Sequence, residues 1–336
     1  MSAIATPAPP REPTRARYPD DEGYIERDGV RVFWESYGEG RPLLLMPSWS
    51  IVTSRLWKAQ IHYLARRFKV VVFDGRGNGR SDRPPGPEAY VPHEFTLDAL
   101  AVMDAAGVER TAVVGGSRGA QWTLELASDH PERVAAAVFV APALPLTPWP
   151  PFASVMENFD EPRAWRRKAK ALANLKSGVP VMRQSRAMRL FARAVGPFEG
   201  AEKFSAEYFH RDQADFVAWF ARLVCTEAHS TRLIEQITEW GLGTDPDTLA
   251  ATFIARTPGP REIADMCGAV ECPTLVIHGT DDLVTPFDWG EALAEALGTR
   301  LVTFEGAGHA PGARHPVRFN LVLREFLESV KREPGV

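Results

Sequence analysis

The chain is poor in cysteine: 336 residues carry three, Cys225, Cys267 and Cys272. Their spacing makes neither a metal-ligand set nor a redox pair, which excludes a disulfide-stapled scaffold. Buried thiols in a reducing cytoplasm are the expectation. Long apolar runs are also missing. The longest, Val134 to Leu146, is broken by Pro142, so no membrane span is expected. Charge of one sign is absent too. With 39 basic and 43 acidic residues the net charge is −4, too small to favour nucleic acid or an anionic membrane as partner. The first residues, "MSAIATPAPPREPTRARYPD", have no apolar core and so do not read as a secretory signal. They cannot bury enough surface to offset the entropy of ordering, and a disordered tail is expected over residues 1–20.

What is present is an ordinary globular composition, 45% apolar and 24% charged, arranged with a rhythm. Val30 to Tyr37 alternates like a strand and ends in a glycine turn. Apolar runs at Pro42–Ser48, Phe68–Asp74, "TAVVGGS" (Thr111–Ser117) and Arg133–Ala143 read as buried strands. Helical spacing lies between them at Thr53–Arg66, His93–Ala106 and Gln121–His130. Strands that are apolar throughout, alternating with helices, imply a mostly parallel sheet covered on both faces. From Leu144 to Cys267 the rhythm stops. That stretch reads as helices at Arg163–Ala173, Ser185–Val195, Ala214–Leu223, Thr231–Trp240 and Thr248–Arg256. The alternation resumes with Cys272–Gly279, a helix Phe287–Leu297, Arg300–Gly306 and a helix Val317–Lys331. The expected organisation is an α/β core from residues 21–143 and 268–336, with a helical cap, or lid, from 144–267.

One stretch, "VVGGSRGAQW", sets Gly115-x-Ser117-x-Gly119 between a buried strand and a helix. Glycines permit a tight strand-to-helix turn that exposes the serine at the sheet edge. A serine hydroxyl needs a base within reach, and the base needs an orienting acid. "LVIHGTDDLVTP" ends a later strand and offers Asp281 and Asp282; the position three after Gly279 and four before Pro286 favours Asp282, with Asp281 as a turn residue. The other place for an acid, after the strand ending at Val140, reads "APALPLTP" and holds no carboxylate. "FEGAGHAPGARHP" supplies His309 as base; His315 precedes Pro316 and reads as a helix-start residue. His278, at a strand end close to the acid, is expected to pack beneath the triad. For the oxyanion, the backbone N–H of Arg118 is one donor. The second should come from the loop "MPSWS"; Pro47 has no N–H, which leaves Ser48, with Trp49 next.

These motifs resemble the α/β-hydrolase superfamily over nearly everything from Tyr24 to Lys331. The likeness rests on "VVGGSRG", "FDGRGNGRSDRP", "VIHGTDDLVTP" and "GAGHAPGARHP". The elbow followed by "SDHPERV" is similar to that of prolyl aminopeptidases. "LLLMPSWSIV" with "TEAHSTRLIEQITEWGLGTDPDTL" is similar to a hydrolase domain fused to adenylate cyclase modules in some bacteria. The chain departs from the superfamily where His-Gly is usual in the oxyanion loop and Met46-Pro47 stands.

The expected function is a cofactor-free serine hydrolase acting on a carboxylic ester or lactone of a fairly apolar small molecule, with no metal. Carbon–carbon hydrolases, perhydrolases and acyltransferases share the serine triad and remain alternatives; a non-catalytic ligand-binding protein is another. Epoxide hydrolases and haloalkane dehalogenases use an aspartate where Ser117 stands. Trp149, Trp165, Trp219 and Trp240 build either the insertion's own core or an apolar pocket. Met46, Trp49, Trp219 and His229 are the candidate substrate contacts, and His210 could join them; a cap or turn role is open for both histidines. The basic run "RAWRRKAKALANLK" reads as a solvated helix face. The apolar insertion offers a surface for a homodimer. The Arg118 side chain could bind a substrate carboxylate or carbonyl, or pair with a buried acid.

Overall fold

A computed structural model describes residues 17–146 and 203–330. The helices expected at Arg163–Ala173 and Ser185–Val195, the basic run, Trp149, Trp165 and residues 1–16 of the expected tail lie outside the described residues. Residues 17–20 are held to the core, with the Asp20 amide donating to the Ser36 carbonyl at 2.9 Å and Arg17 pairing with Asp20 at 2.9 Å.

Eight strands form one sheet: β1 (Asp21–Arg27), β2 (Val30–Tyr37), β3 (Arg41–Leu45), β4 (Phe68–Phe73), β5 (Thr111–Gly116), β6 (Val134–Val140), β7 (Thr274–Gly279) and β8 (Leu301–Phe304). Their order is β1-β2-β4-β3-β5-β6-β7-β8. β2 runs antiparallel to β1 and β4, and the pairs from β4 onward are parallel. β1 is not legible as an apolar run because it is an edge strand with Ile25 as its one buried residue. Its signal is the two-residue turn Asp28-Gly29, with φ of 52° and 77°, the left-handed pair that closes a tight hairpin.

Both sheet faces are covered. On one lie α2 (Pro92–Ala105) and α3 (Gly119–Asp129), which bury Phe95, Val102, Trp122 and Leu126. On the other lie α1 (Lys58–Leu64) and the last helix, α10 (Pro316–Ser329), which bury Ile61, Leu64, Phe319 and Leu323. Coverage on both faces explains why β4, β5 and β6 are apolar at nearly every position.

After residue 203 the chain makes α4 (Ala206–Val224), α5 (Thr231–Gly241), α6 (Pro246–Ile254) and α7 (Pro260–Ala269). Ser205 caps α4 through the Tyr208 amide and Asp245 caps α6 through the Thr248 amide. α4 breaks at Asp212, where the backbone is not helical. α4, α5 and α6 share a third apolar cluster that includes Phe209, Phe216, Phe220 and Leu249, together with Trp49, Ile51 and Val52 from the loop after β3. α7 falls inside the stretch expected as cap, yet Ile263 and Cys267 are buried in the core cluster with α2 and α3. α8 (Phe287–Ala296) and the short α9 (Pro311–Arg314) complete the described elements.

Candidate active site

Parallel strands place their C-terminal ends on one edge of the sheet, and the loops that follow β3, β5, β6, β7 and β8 gather there. Ser117 ends β5 with φ of 54°, in the left-handed region that a residue with a Cβ avoids. The conformation costs roughly 1–2 kcal/mol and is held by three backbone bonds. The Ser117 amide donates to Val140 at 2.9 Å, and its carbonyl accepts from Ala120 and Ala143, both at 3.1 Å. The flanking glycines are there for space. A Cβ on Gly115 would lie 2.2 Å from Thr123 Oγ1 and 2.3 Å from the Gly119 carbonyl; one on Gly119 would lie 2.3 Å from the Pro47 carbonyl. The loop after β3 is therefore pressed directly against the start of α3.

Asp282 follows β7 and is buried. Its Oδ1 accepts the amides of Val284 at 2.7 Å and Thr285 at 2.9 Å, so its own loop fixes its orientation. Its Oδ2 accepts from His309 Nδ1 at 2.8 Å, from Thr285 Oγ1 at 2.9 Å and from His278 Nε2 at 3.1 Å. Burial disfavours the charged carboxylate, but the charge of His309 and the bonds from His278 and His309 outweigh it and hold the carboxyl well below its ordinary range. With Nδ1–H directed at Asp282, Nε2 is the ring atom left to take up a proton, as a base requires. The structure thus brings Asp282 and His309 together. Thr285 Oγ1 also lies 3.2 Å from the Ala141 carbonyl, and Ala141 directly follows the Val140 that holds Ser117. This links the acid and base to the elbow. Among the described residues no hydrogen bond joins the Ser117 hydroxyl to His309.

Arg118 opens α3 in helical geometry. Ser48 is buried on the facing loop. Met46 is fully buried beside Phe95 and Trp122, and its carbonyl accepts Trp57 Nε1 at 2.8 Å. Trp49 packs edge-on against Phe220, with ring centroids 5.4 Å apart, and donates Nε1 to Thr252 Oγ1 at 2.8 Å. Trp219 packs against Phe204 in the same aromatic cluster. His229 is not brought inward: it is exposed in the turn after α4, with φ of 60°, and its carbonyl accepts from Arg314 at 3.4 Å. His210, also exposed, bonds Asp247 at 2.7 Å. His229 thus lies in a turn, and His210 within α4.

Three groups had no distinct signal in the sequence. Thr252 of α6 receives Trp49 and, at 3.0 Å, meets Ser50 Oγ. Glu227 and the Val224 carbonyl, from the turn joining α4 to α5, accept the amides of Gly308 at 3.1 Å and His309 at 3.2 Å. A local pattern could have found Thr285, three residues after the acid. Among the described residues no cluster of three or more His, Cys, Asp or Glu is arranged to hold a metal ion, and no helix is long and apolar enough to cross a membrane.

Comparison with known proteins agrees with this architecture. Epoxide hydrolase A of Mycobacterium tuberculosis is 28% identical over 92% of this chain and 98% of its own length. A non-heme haloperoxidase of Rhodococcus erythropolis is 26% identical over 90% of this chain and 97% of its own. Among solved structures, Est816, described as an N-acyl homoserine lactone degrading enzyme, superposes with a TM-score of 0.65 at 25% identity, over 90% of this chain and all of that one. The sequence model for the alpha/beta hydrolase fold matches residues 41–316, and the chain belongs to that family of hydrolases.

Proposed function

We propose that the protein is a serine hydrolase that cleaves a carboxylic ester or lactone of a fairly apolar small molecule through an acyl-enzyme. The observation that carries this reading is the left-handed Ser117 at the end of β5, on the sheet edge where Asp282 receives His309 Nδ1 at 2.8 Å. In the proposed reaction Ser117 Oγ attacks the carbonyl carbon as His309 Nε2 takes its proton. Asp282 holds the ring and stabilises the imidazolium. The N–H groups of Arg118 and Ser48 receive the developing oxyanion. Collapse of the tetrahedral intermediate breaks the ester C–O bond, and the imidazolium returns the proton to the leaving oxygen. Water, activated by His309, then releases the acid and restores Ser117. Helices α4, α5 and α6 act as a cap at this edge: Thr252 of α6 meets the loop after β3, and Glu227, between α4 and α5, meets the His309 loop.

The full-length similarity to an epoxide hydrolase does not favour epoxide opening, since a serine stands at the elbow where an aspartate would attack an epoxide carbon. Similarity to a lactone-degrading enzyme supports the ester or lactone reading. Similarity to a haloperoxidase supports a second outcome of the same acyl-enzyme, in which hydrogen peroxide replaces water and a peracid leaves. The test is labelling with a fluorophosphonate probe, with turnover of p-nitrophenyl esters and lactones of varied length. An adduct on Ser117 and loss of turnover in Ser117→Ala are expected. Absence of an adduct, or turnover retained in the variant, overturns the reading; peracid formed on adding peroxide selects the second outcome.

A further inference from the structure

Arg118 follows the proposed nucleophile in the chain, and among the described residues its guanidinium meets no counter-charge. The side chain is half-buried, and its one hydrogen bond among the described residues runs from Nη1 to the carbonyl of Thr252, near the C-terminal end of α6. No carboxylate among the described residues pairs with it. Buried Arg76 shows what pairing looks like in this protein: it meets Asp98 at 2.7 Å and Glu94 at 3.0 Å. Asp282, the carboxylate of the proposed triad, is buried and committed to His309, His278 and Thr285. A helix C-terminus offers only about half a unit of negative charge, so the Thr252 carbonyl compensates the cation in part. Burial alone pushes the guanidinium down to about 10, which leaves it charged at neutral pH. An arginine has five N–H donors in a planar fork, and one is in use. None of the others is buried without a partner, so they reach accessible space. A fork of free donors matches a carboxylate in charge and geometry.

We propose that Arg118 is a substrate-binding residue that receives a carboxylate, and that the substrates are esters or lactones carrying a second, free carboxylate, such as half-esters of dicarboxylic acids. The inference rests on the serine hydrolase reading of Ser117. The guanidinium holds the free carboxylate while the ester carbonyl lies between Ser117 Oγ and the N–H groups of Arg118 and Ser48. The main-chain N–H and the side chain of one residue then act on different parts of one substrate. The competing role is mechanical: Arg118 merely pins α6 to the elbow.

The experiment compares p-nitrophenyl hydrogen glutarate with p-nitrophenyl valerate, which has a methyl where glutarate has its carboxylate. The quantity read is the ratio of kcat/KM for the acidic ester to that for the neutral one, in wild type, Arg118→Met and Arg118→Lys. Loss of a charge-assisted hydrogen bond predicts that the ratio falls roughly 10- to 100-fold in Arg118→Met, through KM. Lysine should restore part of it, since it keeps the charge and loses the fork. A ratio equal in wild type and Arg118→Met, with a lowered Tm, overturns the proposal in favour of the mechanical role. Calorimetric binding of glutarate itself separates this proposal from the hydrolase reading. Binding to wild type that weakens in Arg118→Met supports the carboxylate site even if no ester turns over. Glutarate bound equally by both proteins, or by neither, overturns it even if Ser117 takes the fluorophosphonate.

Discussion

Glu227 Oε1 accepts the amide of Gly308 at 3.1 Å. A carboxylate from the turn between α4 and α5 thereby grips the residue before the proposed base. The contact is enclosed: the Glu227 side chain is 10% exposed, and a Cβ on Gly308 would lie 2.5 Å from Thr226 Oγ1. The next amide, of His309, donates to the Val224 carbonyl at 3.2 Å. Glu227→Gln keeps the shape and removes the charge, and should lower kcat on a p-nitrophenyl ester about 10-fold with little change in KM. Glu227→Ala leaves a buried amide unpaired and should cost roughly 1.5–3 kcal/mol of stability, read as a lower Tm. A wild-type kcat in Glu227→Ala would mean that the His309 loop holds its geometry without the cap.

A second prediction concerns the contact between the elbow and the loop after β3. The Pro47 carbonyl lies 2.3 Å from where a Cβ on Gly119 would stand, and neither is a flexible side chain that can swing away. Gly119→Ala must move one backbone segment against the other. Overpacking of this kind costs roughly 1–3 kcal/mol, and the displacement falls on the Ser48 and Arg118 amides. A lower urea midpoint with a larger loss in kcat than in KM is expected. A Gly119→Ala protein with unchanged kcat would separate the oxyanion donors from this contact.

The core strands were legible because each parallel strand is buried on both faces and is apolar throughout, as in Val70–Phe73 and Val134–Val140. The same logic hid β1, since an edge strand exposing most of its residues carries no such run. The positions of Ser117, Asp282 and His309 were legible because each sits in a glycine-rich or acidic turn immediately after a strand. Thr252 and Glu227 were not. Each reaches the site from α6 or from the turn between α4 and α5, where local spacing encodes the helix and not what its ends touch. The pairing state of Arg118 was equally hidden, because whether an acid lies opposite depends on a cap element more than a hundred residues further along the chain. Trp49, a candidate substrate contact in the sequence, is buried among the phenylalanines of α4.

Asp282 makes a prediction about pH. Folding lowers its carboxyl pKa, chiefly through the charge of His309 working against the cost of burial. A carboxyl lowered by folding stabilises the protein at pH values above its unfolded value of ~3.9, and that contribution is lost as pH falls through the folded value. Asp282→Asn lacks this contribution and holds the imidazole in the wrong tautomer, so kcat should fall by roughly 10³–10⁴. In urea unfolding, the stability gap between wild type and Asp282→Asn should begin to close below pH ~4 and go on closing as pH falls through the folded value. A gap that already narrows between pH 7 and 5 would assign the pH dependence to another group.

The cysteines report on the turn between α4 and α5. Burial pushes the Cys225 thiol up to about 12 and those of Cys267 and Cys272 up to about 11. The thiolate is the reactive form, so at pH 8 each should react slowly with Ellman's reagent in the native protein and all three should react once urea unfolds it. Cys225 is the informative one, because it follows the Val224 carbonyl that holds the His309 amide. A variant that loosens that turn, such as Glu227→Ala, should speed labelling of Cys225 while leaving Cys267, on the core-facing side of α7, at its native rate. Equal acceleration of both would show that the substitution loosens the whole fold, and no acceleration of either would show that Glu227 does not hold the turn.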